Sequence, residues 1–284
     1  MNGRVNQPWV LNVHPTLRAG LRHGCSVLAC AFSLSVYCAV PSEPTLIVAD
    51  LHLGYVPEEV AADFHRFLDS VPGRAERLII NGDLFEFWFE YRSVIPEAAF
   101  PTLERLATLA RCGVRITITG GNHDRFGGDF WRRRVGAEFH PRGVDLTLSG
   151  WNAHVQHGDG IGDVHLSSKL MHFVTRQSAT RRLFSLLHPD VGIGLVHRMS
   201  PKLAGKRADP EVRERVARAQ ETFARRFMQE CPDVDLLVLA HTHRTALVEL
   251  GEKRWYVNPG AWSEDRSYVM VTEEGPRVER WNDQ

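Results

Sequence analysis

The chain has 284 residues, of which 43% are hydrophobic and 24% are charged, so its composition provides for a large core. Its formal net charge is zero, which argues against a protein that coats nucleic acid. The five cysteines form no CxxC pair, which argues against a disulfide framework or a structural zinc site and favours a reducing compartment. Fourteen histidines are many for this length and suggest metal or proton chemistry.

Residues 1–43 differ from the rest of the chain. No acidic residue precedes Glu43, several arginines come early, and residues 25–40 are weakly apolar with several serines. A targeting leader or a membrane anchor is one interpretation, but the apolar run is short for a membrane span and the basic part is long for a leader. We favour a disordered or wrongly started extension that precedes one α/β domain over residues 44–284.

From residue 45 onward, apolar runs typical of buried strands alternate with helical patterns, which predicts an α/β fold. The runs are TLIVAD (45–50), RLIIN (77–81), VRITITG (114–120), AHVQ (153–156) and VDLLVLA (234–240). The helical patterns cover residues 57–71, 97–111 and 210–230. In the first helix one face carries Val60, Phe64, Phe67 and Leu68, and in the last the apolar stripe consists of Val212, Val216, Ala219, Phe223 and Phe227.

Each of the five apolar runs ends in or leads into polar residues: DLH, GD, GNHD, HGDG and HTH, in chain order. Ligands of open α/β sheets bind beyond the carboxyl ends of the strands, so these side chains should meet at one rim. Glycines beside them allow the sharp turns that this requires. The candidate residues are Asp50, His52, Asp83, Asn122, His157, His241 and His243.

This set offers carboxylate, amide and imidazole donors but no thiolate. Such donors suit Mn²⁺, Fe²⁺ or Zn²⁺ better than soft copper ions or iron–sulfur clusters. Seven ligands exceed the needs of one ion, whereas two ions held about 4 Å apart would use them all. The chemistry natural to such a pair is hydrolytic attack on phosphorus.

In this order, the five motifs resemble those of calcineurin-like metallophosphoesterases, over about residues 45–265. The resemblance implies a four-layer αββα sandwich with a helical cap insertion at about 160–232. It implies one metal ion on Asp50, His52, Asp83 and His243. It implies a second ion on Asn122, His157 and His241, with Asp83 as the ligand that both ions share.

The same resemblance gives the GNHD motif a catalytic role. It implies that His123 donates a proton to the leaving oxygen and that Asp124 steers its ring. The family usually has glycine before its last histidine pair, where this chain has Ala240, so we expect slight crowding there.

Further motifs resemble the branch of bacterial UDP-2,3-diacylglucosamine diphosphatases: GDLFEFWFEYR, HGDGIGD, LFSLLHPDVG and YVNPGAW. This resemblance implies a cytoplasmic enzyme, peripheral on the inner membrane, that uses two divalent ions, with Mn²⁺ as the first choice. It implies hydrolysis of UDP-2,3-diacylglucosamine to lipid X and UMP. Other members of the branch carry Arg where this chain has His123, which leaves the proton donor and the substrate open. The alternating Phe85, Phe87 and Phe89 are equally typical of a core strand.

Residues 160–207 contain eight Lys or Arg against two acidic residues, interleaved with apolar residues at helical spacing. A basic and apolar cap suits a substrate with acyl chains and a diphosphate, and also an anionic membrane surface. A helical hairpin with a packed apolar side and a solvated basic side is an equal alternative. The predicted substrate contacts are Arg125, Asp163 and Lys169.

The leading hypothesis is therefore a pyrophosphatase that acts on a nucleotide-linked glycolipid. The same ions would serve a phosphatase or phosphodiesterase that acts on a nucleotide or a nucleic acid, although zero net charge argues against a nuclease. A non-catalytic scaffold of the same fold should lack several ligands, and all seven are present.

Overall fold

The computed structural model of the chain describes residues 44–162, 178–194, 198 and 210–282. These residues belong to the larger of two units, Val40–Gln284. The strands are β1 (Thr45–Val48), β2 (Arg77–Asn81), β3 (Arg115–Thr119), β4 (Glu138–His140), β5 (Gly143–Leu148), β6 (Trp151–Gln156), β7 (Leu236–Val238), β8 (Thr245–Gly251), β9 (Arg254–Pro259), β10 (Ser267–Thr272) and β11 (Gly275–Arg280). The α-helices are α1 (Glu58–Ser70), α2 (Phe100–Arg111), α3 (Ser178–Phe184), α4 (Pro210–Glu230) and α5 (Trp262–Asp265).

The first sheet has six strands in the order β11-β10-β1-β2-β3-β4. Strands β1 to β4 run parallel, and β10 and β11 extend the sheet antiparallel at the β1 edge. Leu46 and Val48 of β1 belong to the core under the helices, whereas Ile47 faces the second sheet. Because both faces are buried, the strand is apolar without alternation, as its sequence predicts.

The second sheet has five strands in the order β5-β6-β7-β9-β8. Strands β6, β7 and β9 run parallel, and β5 and β8 are antiparallel at the two edges. Val155, Val238 and Val257 of the central strands pack against Val269 and Val271 of the first sheet. The parallel strands at the centres of both sheets therefore end at the same rim, where the polar motifs follow.

Helices cover the outer face of each sheet and complete four layers, αββα, as the family resemblance implies. Helices α1 and α2 pack on the first sheet. Helix α4 packs Ala224 and Met228 on Leu237 and Tyr256 of the second sheet. Within the described ranges, no helix is both long and apolar enough to cross a bilayer.

The apolar face predicted for α1 is confirmed. Its four apolar residues are all buried in the first core cluster. The rings of Phe64 and Phe67 lie 5.4 and 4.9 Å from the ring of Trp262 in α5. Burying one such side chain contributes roughly 1.5–3 kcal/mol. This packing joins helix α1 to helix α5, which follows β9.

Two sequence interpretations need correction. The fully buried residues of α4 are Gln220, Ala224 and Met228, and the predicted Phe223 and Phe227 are only partly buried beside them. The FEFWF segment is not a regular strand, since its only pairings in the described chain are isolated bridges. The buried glutamine of α4 is stabilised because its amide donates to the carbonyl of Ala240 in the turn after β7. The helical periodicity of the sequence does not predict such a contact.

The described part of the predicted cap comprises α3, helical residues 189–194 and α4. Residues 163–177, 195–197 and 199–209 of the range 160–232 lie outside the described residues, as do residues 1–43. The domain boundary at residue 44 and the extent of the cap therefore stay predictions.

Candidate metal centre

Five of the seven candidate ligands lie in turns with a left-handed backbone. Eight non-glycine residues in the described chain have positive φ. The five ligands among them are Asp50 (52°), His52 (51°), Asp83 (53°), His241 (73°) and His243 (57°). Asp and His tolerate this region better than most side chains, but such residues persist only where their surroundings hold them there. The contacts of these turns are therefore part of the site.

The turns after β1 and β2 hold each other through their backbones. The N–H of His52 donates to the carbonyl of Asp83 at 3.0 Å. Gly121 lies so close that a Cβ on it would overlap the carboxylate of Asp83, and a Cβ on Gly82 would overlap the ring of His157. Glycine is thus required at both positions so that three strand ends can meet.

The first group of potential ligand atoms belongs to Asp50, His52 and His243, whose atoms lie within 4.8 Å of one another. Asp50 Oδ1 is 3.5 Å from His243 Nε2 and 4.0 Å from His52 Nε2. The two Nε2 atoms are 3.3 Å apart, although the residues are separated by 191 positions. Asp83 Oδ2 lies 4.0 Å from His52 Nε2 and borders this group.

The second group belongs to Asp83, His157 and His241, again within 4.8 Å. His157 Nε2 is 3.2 Å from Asp83 Oδ2 and 3.8 Å from Asp50 Oδ1. The backbone N–H of His241 donates to Asp50 Oδ2 at 2.9 Å. The carboxylate of Asp83 therefore lies between the two groups, which is the position that a shared ligand needs.

Three buried atoms at the rim have no hydrogen-bond partner: Asp50 Oδ1, Asn122 Oδ1 and His157 Nε2. His157 Nε2 approaches Asp83 without the geometry of a hydrogen bond. Leaving such an atom buried and unpaired costs about 1–3 kcal/mol. All three offer lone pairs of the oxygen and imidazole type that divalent ions of the first transition row accept. The donor set thus fits divalent metal ions.

Charge at the rim favours cations. Burial by itself would raise the pKa of Asp83, but the positive charges of His157 and His123 lower it well below its usual range. Burial lowers the pKa of His157, yet the charge of Asp83 outweighs it and raises this pKa to about 10. A site that stabilises positive charge beside a buried carboxylate also stabilises a bound cation.

Three imidazoles are oriented by acceptors that their Nδ1 atoms contact. The pairs are His52 with Glu86 Oε2 (2.9 Å), His243 with Glu264 Oε1 (2.9 Å) and His157 with the carbonyl oxygen of Asn81 (2.8 Å). Ionised carboxylates and carbonyl oxygens only accept, so each Nδ1 carries a proton and each Nε2 faces the rim, where a metal ion can take the place of its proton. This is the arrangement in which a neutral histidine binds a metal ion.

Glu86 and Glu264 are not among the residues predicted from the sequence. Glu86 follows Asp83 by three positions in GDLFE, and that proximity is a local indication of a role in the site. Glu264 follows YVNPGAW and reaches a histidine 21 residues earlier. The hydrogen bond from His243 lowers the pKa of Glu264 to about 2, so the group is ionised at neutral pH.

The imidazole of His123 lies beside His52 of the first group and beside Asp83. One of its ring nitrogens lies within 4.8 Å of ligand atoms of His52 and Asp83. Its Nδ1 donates to the carbonyl oxygen of Glu86 at 2.7 Å. Its backbone N–H donates to Asp83 Oδ1 at 2.9 Å. The ring is thus held at the rim through Nδ1.

Asp124 acts on the backbone of the GNHD loop. Its carboxylate is buried and accepts the N–H groups of Gly121 and Leu84, each at 2.8 Å. Burial and then the charge of Asp83 raise the pKa of Asp124 to about 6. Asp124 thus holds the loop that carries His123, whereas the carbonyl of Glu86 contacts the ring itself, and the steering role of Asp124 stays a prediction.

Of the predicted substrate contacts, only Arg125 is described. Its side chain is 9% exposed and forms an ion pair with Asp159, two positions after His157. Its guanidinium thereby joins the GNHD loop to the HGDG loop, and its Nε is buried without a hydrogen-bond partner. Asp163 and Lys169 lie outside the described residues.

The HTH turn after β7 rests on a buried amide network that the sequence did not predict. Gln220 of α4 donates to the carbonyl of Ala240 at 2.9 Å. Asn258 at the end of β9 donates to the same carbonyl at 3.3 Å and to Thr242 Oγ1 at 3.1 Å. Both amide side chains are fully buried. The left-handed turn is thus held by a helix and a strand at once.

Comparison with known proteins decides the family. A family model described as calcineurin-like phosphoesterase matches residues 43–245, which is most of the chain. The chain belongs to this family. It is accordingly a hydrolase of phosphate linkages with the family's α/β fold, and its Asp/His groups suit divalent metal ions.

Several curated relatives share one name, UDP-2,3-diacylglucosamine hydrolase. The protein from Porphyromonas gingivalis is 28% identical over 242 residues, which are 78% of this chain and 91% of that protein. The protein from Stenotrophomonas maltophilia is 31% identical over 80% of this chain and 94% of that protein. The protein from Salmonella arizonae is 29% identical over 80% and 95%. Among solved structures, Vps29 from Chaetomium thermophilum aligns at 14% identity over 84% of this chain and 95% of that chain, with a TM-score of 0.40 that is too low to add to the assignment.

Proposed function

We propose that this enzyme hydrolyses the pyrophosphate bond of UDP-2,3-diacylglucosamine and releases UMP and 2,3-diacylglucosamine 1-phosphate, lipid X. The observation that carries the proposal is the convergence of the Asp/His groups at one rim in a chain whose relatives bear this name over about four fifths of its length. Every group of potential metal ligands in the described residues lies at this rim, so the proposal places the scissile bond there.

In this proposal Asp50, His52 and His243 hold one divalent ion, and Asn122, His157 and His241 hold the other. Asp83 is the ligand common to both. Bound ions of this kind lower the pKa of a water molecule and neutralise charge that develops on the phosphoryl oxygens. Oxygen and imidazole donors make Mn²⁺ our first choice of metal, with Fe²⁺ or Zn²⁺ as alternatives.

His123 is the proposed proton donor to the leaving oxygen. Its Nδ1 is occupied by the carbonyl of Glu86, so only Nε2 can deliver a proton to substrate at the rim. The branch that the motifs resemble carries Arg at this position, which supplies charge but gives up no proton near neutral pH. With His123 the departing phosphate oxygen can be protonated as its bond to the attacked phosphorus breaks.

The described part of the cap supports a lipid substrate. The ring of Phe184 in α3 lies 5.4 Å from Phe87 and 4.9 Å from Phe89, in the segment that also carries Glu86. Next to it Leu183 and Leu186 are 68% and 82% exposed. Exposed leucines beside a polar rim provide apolar surface for acyl chains, and the eight basic residues of this region suit a diphosphate.

The same surface leads us to propose that the enzyme acts on the cytoplasmic face of the inner membrane as a peripheral protein. Flotation with vesicles that contain anionic lipid tests this. Leu186→Asp should reduce flotation, whereas Leu247→Asp, on the exposed edge strand β8, should not. Equal flotation of both variants would remove the support for membrane contact by the cap.

The substrate is tested with purified protein, Mn²⁺ and three compounds: UDP-2,3-diacylglucosamine, a cyclic nucleotide and single-stranded DNA. We expect turnover of the glycolipid only, with UMP and lipid X in equal amounts. Turnover confined to either of the other compounds would show that the site serves a different phosphodiesterase or a nuclease. No turnover of any compound by metal-loaded protein would favour a scaffold.

A further inference from the structure

Glu86 contacts two histidines that have different roles in the proposed reaction. Its Oε2 is 2.9 Å from His52 Nδ1 and 3.5 Å from His123 Nδ1, and its carbonyl oxygen accepts from His123 Nδ1 at 2.7 Å. The two imidazole rings meet edge to face with centroids 4.9 Å apart. Glu86 is only 6% exposed.

We propose that Glu86 is a positioning residue shared by the metal site and the proton donor, so that metal binding and protonation of the leaving group depend on one side chain. The inference rests on the proposed roles of His52 as a ligand and His123 as the donor.

The contact with His52 acts on metal binding. A carboxylate that accepts from Nδ1 fixes the tautomer and the ring orientation and raises the basicity of Nε2. Removing such an outer partner typically lowers metal affinity about 10- to 100-fold. Oε2 is the only acceptor in the described contacts of His52 Nδ1, so this effect belongs to the side chain of Glu86.

The contact with His123 acts on proton delivery. The carbonyl of Glu86 holds Nδ1, and the carboxylate 3.5 Å away places negative charge beside the protonated ring. The main chain at this position is tied down, because the N–H of Glu86 donates to the carbonyl of Leu53 at 3.1 Å. The substitution Glu86→Gln therefore keeps the carbonyl contact, removes the negative charge and weakens the bond to His52.

Glu264 provides a matched control. It accepts from His243 Nδ1 at the same distance, 2.9 Å, but it is 40% exposed and its other described partner is Arg213, at 3.0 Å. Glu264→Gln should therefore disturb one ligand histidine, whereas Glu86→Gln should disturb a ligand and the proton donor together.

Imidazole NMR of ¹⁵N-histidine protein saturated with Zn²⁺ tests the positioning without any turnover. With resonances assigned by single histidine variants, Glu86→Gln should shift the ring nitrogens of both His52 and His123, and Glu264→Gln should shift those of His243. Titration of the metal-free proteins with Mn²⁺ should show affinity lowered about 10- to 100-fold in both variants. An unshifted His123 ring, or unchanged affinity in Glu86→Gln, would overturn the proposal.

A leaving-group series then separates the two roles. Aryl phosphodiesters with leaving groups from 4-nitrophenol to phenol are hydrolysed at saturating Mn²⁺. We expect Glu264→Gln to lose a constant factor, and Glu86→Gln to lose progressively more as the leaving group becomes poorer, since weak leaving groups depend most on a proton donor. Parallel losses in the two variants would contradict the link to His123.

Glu86→Asp provides a second variant in case the glutamine variant misfolds. It keeps the negative charge but shortens the side chain by one methylene. It should show intermediate affinity and intermediate NMR shifts, whereas values equal to the parent protein would count against the proposal. The NMR and titration results do not depend on the glycolipid. If UDP-2,3-diacylglucosamine is not hydrolysed but these results hold, the substrate proposal fails and the role of Glu86 stands.

Discussion

The solvent-side histidines and the buried histidines of the rim are supported in different ways. The side chains of His52 and His243 are 12% and 23% exposed, and each Nδ1 donates to a carboxylate. His157 is fully buried, and its Nδ1 donates to the main-chain carbonyl of Asn81. Side-chain carboxylates can change without changing the fold, whereas a main-chain carbonyl at the end of β2 cannot. We therefore expect substitutions on the solvent side, around His52 and His243, to change metal affinity without unfolding the protein. Substitutions on the buried side, around His157 and His241, should lower the stability of the fold.

The largest effect is expected where the two sides meet. Asp83→Ala removes the carboxylate between both groups, and with it the acceptor for the N–H of His123. Metal content should fall for both ions, and activity should drop by more than the roughly 100-fold that outer contacts cost. Elemental analysis and the hydrolysis rate measure this, with Asp129→Ala, at an exposed position, as the control. A variant that keeps one tightly bound ion would show that Asp83 is not shared.

The second largest effect is expected for His123→Ala, which tests whether the proposed proton donor is also needed for metal binding. Both metal ions should remain, because its ring is not one of the seven proposed ligands. The rate should fall about 100- to 10,000-fold, the usual worth of a general acid, and most for poor leaving groups. His188→Ala, at a well-exposed position, should change neither quantity. Loss of metal in the His123 variant would move this residue among the ligands.

Gln220→Met tests the claim that the buried side is tied to folding. Methionine keeps the length of the side chain, but it removes the acceptor of the Tyr256 hydroxyl and one of the donors to the Ala240 carbonyl. The free energy of unfolding of the metal-free protein should fall by about 1–3 kcal/mol, as measured in urea. Gln229→Met, on the exposed face of the same helix, should stay within about 0.5 kcal/mol. Equal stabilities would mean that the network does not hold the turn.

The smallest effect is expected one contact farther out on the solvent side. Arg213→Ala removes the ion pair with Glu264 but leaves the bond between Glu264 and His243 in place. Ion pairs as exposed as this one are worth about 0–1 kcal/mol. Mn²⁺ affinity should therefore change by less than about five-fold, less than in Glu264→Gln. A larger loss would show that the solvent side depends on an extended charge network and not on single carboxylates.

The sequence by itself determined the parallel core of the fold and the residues at its rim. Strands buried on both faces leave continuous apolar runs, and the polar residue after each run marks the strand end, so the positions of Asp50, Asp83 and His157 could be read locally. The apolar face of α1 followed from helical periodicity for the same reason. The parallel strands β4 and β9 and the antiparallel strands β5, β8, β10 and β11 were not predicted, because none of them leads into one of the five polar motifs.

Only the tertiary structure decided which atoms meet. Glu264 contacts His243 across a hairpin, and Gln220 is buried because its amide donates to the carbonyl of a loop. Neither contact produces a periodic pattern in the sequence. The left-handed turns at His241 and His243 are likewise held by partners far away in sequence. Local patterns encode which face of an element is apolar, but hydrogen-bond partners and ring orientations depend on how distant elements pack, and that is set only in the folded molecule.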